Sequence, residues 1–195
     1  MIYIGIGILG FLVIHMFDIV SLKRVPIAKP AIWTLGSCIL LYSLVMMFLD
    51  PNKLPLPAWS TWIGWGLLII AGFLLIYSLF INLPFRKTYI NIGVGDKLVV
   101  TGFYALVRHP GVPWFVIVLI ALVLASRSQP LLIAAPVFAL VDILLVVIQD
   151  KVFFTKMFAS YTRYQKETPM LLPNRKSIGA CIRSLGQNRV RYPGQ

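Results

Sequence analysis

Five apolar stretches, at about 2–22, 31–49, 59–83, 112–126 and 131–148, leave this chain little freedom in what it can fold into. Crossing the hydrocarbon core of a bilayer takes roughly 20 mainly apolar residues. All but 112–126, the shortest, come close to or exceed that length. With 59% hydrophobic and only 12% charged residues, a soluble globular domain is excluded, since such domains are about a quarter charged. The aromatic and branched apolar content also excludes a disordered chain. Cys38 and Cys181 are the only cysteines and lie far apart, so there is no disulfide framework. Neither has His, Asp or Glu at ligand spacing, which argues against a zinc site. The expected fold is all-α: one integral membrane domain over 1–195, with about five transmembrane helices.

The net charge of +12 is distributed with the spans. Lys23, Arg24 and Lys29 fall between the first two stretches, and Arg86, Lys87, Lys97 and Arg108 between the third and fourth. Nine more basic residues follow the fifth, whereas the other two connections hold only Lys53 and Arg127. Sixteen against two predicts an outside N-terminus and a cytoplasmic C-terminus. The charge is thereby assigned to orientation and to anionic membrane lipids, not to nucleic acid. The first stretch has no basic residue before it and no small-residue cleavage site, so it reads as a retained anchor.

GIGILG at 5–10 matches a dinucleotide-binding spacing, but it lies inside an apolar span with no acid about 20 residues on. Its glycines, and Gly64, Gly66 and Gly72, read instead as small residues that let helices approach closely. NIGVGD at 91–96 reads as a turn. His15 and Asp18 share one face of the first helix and read as a packed polar pair near its basic end. Asp142 lies within the fifth span, with Gln149 and Asp150 about two turns further on nearly the same face.

The segment LVVTGFYALVRHPGVPW at 98–114 joins a cation, Arg108, to an imidazole, His109, and stiffens them with Pro110 and Pro113. After the fifth span, Phe153, Phe154, Met157, Phe158, Tyr161 and Tyr164 recur at helical spacing over 149–173. That pattern predicts one amphipathic helix lying in the membrane interface, with tyrosine hydroxyls to spare. The basic tail at 174–195 reads as a mobile, lipid-touching segment.

The run TGFYALVRHP, followed after two spans by an acid, Tyr-x-x-Tyr and a closing Pro, resembles the isoprenylcysteine carboxyl methyltransferase and phospholipid methyltransferase superfamily. The likeness covers residues 98–173, which would form the catalytic region; before that, only apolar helices correspond. It implies a small membrane enzyme that uses S-adenosylmethionine. Gly102, Tyr104, Arg108, His109 and Pro110 would form one wall of the cofactor pocket, with Gln149 and Asp150 at the acid pair and Tyr161 and Tyr164 at the tyrosines. The chain departs from the pattern at Val112, where a tyrosine follows Arg-His-Pro, with Trp114 the nearest aromatic. It departs again at Gln149 and at Met170, which stands for an arginine. These departures speak against a carboxylate acceptor such as a prenylated cysteine.

Methyl transfer of this kind needs a water-soluble donor held against a membrane-dissolved acceptor, hence a site at the interface. The resemblance implies Asp150 for the cofactor ammonium, and Arg108 or backbone N–H groups near His109 for its carboxylate. Tyr104, Trp114 or Tyr161 would face the sulfonium, and His109 would act as general base for an amine, thiol or hydroxyl acceptor. Two alternatives stay open. NADPH-dependent sterol-type reductases look similar over the same region but usually have Asn-Tyr where Pro110 follows His109 here. A non-catalytic membrane scaffold retaining the fold is the other.

Overall fold

The computed structural model describes residues 1–25, 27–94 and 98–185. The chain is an all-α polytopic membrane protein. Helices α1 (Ile2–Lys23), α2 (Ala28–Phe48) and α3 (Trp59–Ile76, prolonged by a π-helical turn, Tyr77–Ile81) are followed by a second π turn, Arg86–Ile90. Then come the short α4 (Phe103–Leu106), α5 (Gly111–Ser126) and α6 (Gln129–Ile148), which runs into a third π turn, Gln149–Phe153. The chain continues with α7 (Phe154–Met157), α8 (Tyr161–Glu167) and α9 (Arg175–Ser184). α1, α2, α3 and α6 with its extension are long and apolar enough to cross a membrane, and α5 is the shorter fifth.

Local chemistry sets the ends. α1 and α5 stop where Arg24 and Arg127 turn left-handed. Pro110 precedes α5, and Pro113 sits in its first turn, where a missing N–H is harmless. Ser128 caps α6 by accepting from Leu131 N. Its hydroxyl donates to Met47 O at 2.6 Å, tying the connection to the end of α2.

α1 packs along α2, α3 along antiparallel α5, and α6 closes the bundle. The core lies between Phe11, Met47, Leu119, Leu131 and Phe138, with the Phe11 ring edge-on to Phe115 and Phe138 at 5.6 and 5.7 Å. The outer faces stay apolar: Trp62, Ile69 and Phe73 of α3 are exposed, as a lipid-facing surface requires. Gly10 meets the backbone of Leu40 and Gly36, Gly7 sits against Phe138 and Ser43, and Gly64 against Ala125, so these glycines serve helix packing as expected; Gly5, Gly66 and Gly72, with nothing within 4 Å of an added Cβ, do not.

Three expectations are corrected. The stretch after α6 is not one interfacial helix: the π turn and an extended residue at Phe158 break it, and Tyr161 and Tyr164 are buried in an apolar cluster with Leu98 and Val100. The tail is not free through Ser184. α9 is started by an Asn174–Ser177 capping box, packs on α4, and buries Ser177, Cys181 and Ser184. Residues 186–195, with Arg189 and Arg191, lie outside the described residues, as do Lys97 and the last two residues of the 91–96 turn. Lys29 is not a loop charge. It lies within α2, buried, and donates to Asn91 O and Gly93 O at 3.2 and 2.8 Å.

Candidate functional site

The end of the bundle where α1 and α6 finish and α2 and α5 begin is organised by one carboxylate. Asp150 sits in the π turn after α6, buried, and accepts from four side chains. Arg108 grips it bidentately, Nε to Oδ1 at 2.8 Å and Nη2 to Oδ2 at 3.0 Å. Tyr161 donates to Oδ1 at 2.6 Å and Gln165 to Oδ2 at 2.9 Å. His109 Nε2 lies 3.2 Å from Oδ1. A carboxylate so held only accepts, so Nε2 carries the proton and Nδ1 is the basic nitrogen of His109. The imidazole stacks on Phe154, centroids 5.6 Å apart and planes 6° from parallel.

Backbone bonds lock the same region. Arg108 N donates to Pro169 O and His109 N to Met170 O, at 2.9 and 3.2 Å. Arg108 Nη1 donates to the carbonyls of Gln165 and Thr168, at 3.0 and 2.6 Å. Tyr164 donates its hydroxyl to Tyr104 O. Met170, where the family pattern has an arginine, thus takes part through its carbonyl. Burial pushes the pKa of the Arg108 guanidinium down, but the Asp150 carboxylate more than offsets this and the net shift is upward. Burial and then the bond to Asp150 push the Tyr161 phenol up, so it remains a neutral donor. Tyr161→Phe keeps the ring packing and removes one hydrogen bond to a charged group. It is expected to cost about 1.5–3 kcal/mol, measured as unfolding free energy in detergent.

Beside this network opens a cavity of about 480 Å³. Tyr104, Arg108, His109, Pro110, Gln149, Tyr161 and Tyr164 all lie on its wall. Gly102 and Trp114 do not. Gly102, at φ 62°, donates its N–H to Ser184 Oγ, and any side chain there would meet the Asn82 amide at 2.5 Å. Trp114 packs on the Phe103 ring at 5.6 Å, with its Nε1 buried and unpartnered. Both lie behind the wall. Tyr161 and Tyr164 have spent their O–H donors inside the protein, against the expectation of hydroxyls to spare.

His15 and Asp18 do not remain a packed pair. His15 donates through Nδ1 to Phe11 O at 3.0 Å, Asp18 Oδ2 accepts from Gln149 Nε2 at 2.9 Å, and both line the cavity. Gln149, a lost acid by sequence, therefore holds an acid from another helix. Residues that sequence reasoning missed are Gln165, Lys29, Phe154 and Asn82, whose amide bonds Phe103 N at 2.8 Å. The only available signal was for Gln165, one turn beyond Tyr161 on the same helix.

A zwitterionic sulfonium cofactor needs a seat for its ammonium, a cation or N–H groups for its carboxylate, and an aromatic face. Asp150 is fully committed inside the protein and does not fit the first role. Asp18 does: its Oδ1 remains open on the cavity wall. Arg108 and Lys29, the cations on the wall among the described residues, already hold Asp150 and the Asn91 and Gly93 carbonyls, and Tyr104 is an aromatic there. The wall thus offers Asp18, in place of Asp150, for an ammonium and Tyr104 for a sulfonium. Comparison of the chain with family models, curated proteins and solved structures finds no match in any of the three.

Proposed function

We propose that this protein is an integral-membrane methyltransferase that transfers a methyl group from S-adenosylmethionine to a lipid-like or isoprenoid-type acceptor at the cytoplasmic membrane face. The observation that carries the reading is a single continuous cavity. One end is polar, built on Arg108, His109, Asp18 and Gln149, and the rest runs between Leu40, Leu44 and Phe115 into the apolar bundle. Such a shape lets a water-soluble donor and a membrane-dissolved acceptor meet. N-terminus outside, and site and C-terminus inside, is the orientation that the basic residues favour.

The cofactor, when bound, supplies the activated methyl group. Asp18 would hold its ammonium, and the Tyr104 ring would attract the sulfonium. Arg108 and Asp150 act indirectly, fixing His109 between the carboxylate and Phe154 so that Nδ1 is presented in one tautomer. From an amine, thiol or hydroxyl acceptor, His109 Nδ1 takes the proton. The rest of the rate comes from alignment within the cavity.

The reductase reading is disfavoured by the same wall. NADPH brings several phosphates, and the two wall cations, Lys29 and Arg108, are already engaged with carbonyls and a carboxylate. A scaffold has no use for an open cavity lined by Asp18 and Asp142.

The test is equilibrium binding of S-adenosylmethionine and of NADPH to detergent-purified protein, with His109→Ala and Asp18→Asn. Saturable binding of the sulfonium cofactor alone is expected, weakened about tenfold or more by Asp18→Asn. His109→Ala is expected to leave binding nearly intact and to abolish turnover of a proton-bearing acceptor. NADPH binding would move the assignment to a reductase. Binding of neither by folded protein would leave the scaffold.

A further inference from the structure

The inner end of the cavity holds groups that the proposed methyl transfer does not use. Asp142 lies on α6, seven residues before Gln149, so about 10 Å further into the bundle at roughly 1.5 Å per residue. α1 and α6 run parallel, with Gly7 against Phe138 and Asp18 bonded to Gln149, so Asp142 comes level with Phe11. His15 starts one turn nearer the polar end, and its ring leans back along α1 to the Phe11 carbonyl, towards the level of Asp142. Both side chains line the cavity, yet no hydrogen bond or ion pair joins them among the described residues.

Their hydrogen-bonding capacity has one sign. Nδ1 of His15 is spent as a donor to Phe11 O, which leaves Nε2 of the neutral ring as an acceptor. Ionised, as it is against a cation, the Asp142 carboxylate only accepts, and it has no protein partner among the described residues. Around them the wall is apolar, formed by Leu40, Leu44, Phe115 and Val146. A carboxyl at span depth without a donor is expensive, and such groups face a ligand or ion path by default.

We infer that the inner end of this cavity binds the ammonium nitrogen of an apolar amine, seated between Asp142 and His15. The nitrogen is flanked by apolar groups within the hydrocarbon depth, unlike a headgroup amine. A cation satisfies Asp142 both by charge and by hydrogen bonding, and its second N–H meets His15 Nε2. A hydroxyl offers a single donor and no charge, so it is the weaker occupant. This inference goes beyond the methyltransferase reading and does not require it.

The experiment uses the full chain in phosphatidylcholine nanodiscs, with empty nanodiscs as the partition background. Dioctylamine, whose nitrogen lies between two alkyl arms, is compared with heptadecan-9-ol. The amine is expected to bind saturably, at least about tenfold more tightly than the alcohol. Asp142→Asn is expected to remove that preference, lowering amine affinity about tenfold or more and leaving the alcohol within about threefold. Leu44→Trp, which fills the inner end and spares Asp142, is expected to abolish binding of both; it serves as the second variant if Asp142→Asn is not monodisperse. Absence of saturable amine binding, equal affinity for the alcohol, or indifference to Asp142→Asn would each overturn the inference. S-adenosylmethionine binding is measured on the same nanodiscs. Its failure with amine binding intact strikes only the methyltransferase reading, and the reverse strikes only the amine site.

Discussion

Asp150→Ala is expected to destabilise the folded protein by about 3–5 kcal/mol, the range for removing one partner of a buried ion pair. Arg108 and Asp150 side chains are only 9% and 5% exposed. Without the carboxylate, the guanidinium keeps its bonds to the Gln165 and Thr168 carbonyls but carries an uncompensated charge. Tyr161 and Gln165 are left with buried donors and no acceptor. The measurement is unfolding in detergent, with proteolysis after α6 as a local readout. A second variant separates stability from chemistry. Arg108→Met with Asp150→Leu fills the same space without charge and should recover the part of the loss due to the uncompensated guanidinium, whereas Tyr161 and Gln165 stay without an acceptor. It should not recover function, because His109 loses the group that fixes its tautomer. If Asp150→Ala unfolds no more easily than the unaltered protein, the network does not hold the fold together.

This network also marks the boundary of what the sequence discloses. The spans are legible because burial in lipid demands a continuous apolar run, which is a local property; α1, α2, α3, α5 and α6 follow the hydropathy closely. Arg108, His109 and Asp150 stand out as residue types, and the structure brings them together. What spacing cannot convey is that they satisfy one another. A pair 42 residues apart looks, by sequence, like two groups waiting for a ligand. Lys29 is the sharper case. Near a span end it reads as an orientation charge, but its acceptors lie 62 and 64 residues away. The break at Phe158 is equally hidden, since no Pro or Gly interrupts 149–168 and the apolar periodicity runs straight through. The π turn and the bend at Phe158 accompany the burial of Tyr161 and Tyr164 against Asp150 and the Tyr104 carbonyl. Tertiary demand overrides the helical pattern there.

Gly64→Leu is expected to prevent stable assembly, and Gly64→Ala to cost about 1–3 kcal/mol, the usual penalty for overpacking. A Cβ at Gly64 would fall within the backbone of Ala125 on α5, where no side-chain rotation gives relief, so the two helices must part. Ser60 and Ala71 lie on the same face and are buried, which makes the α3–α5 contact one of small residues. Gly66 and Gly72 provide the internal control. All three glycines look equivalent in the sequence, but nothing lies within 4 Å of a Cβ at either of these two positions. Gly66→Ala and Gly72→Ala are therefore expected to be neutral, or to stabilise by up to about 1 kcal/mol through helix propensity. Thermal unfolding of the four variants in one detergent decides the matter; equal losses at Gly64 and Gly66 would mean that α3 packs otherwise. The consequence reaches the site, because α5 begins at the Arg108–His109 corner and its first glycine, Gly111, is in contact range of Leu75 and Leu79 at the far end of the same helix pair. Gly64→Ala should therefore weaken binding at the polar end of the cavity as well as lower stability, whereas Gly66→Ala should do neither.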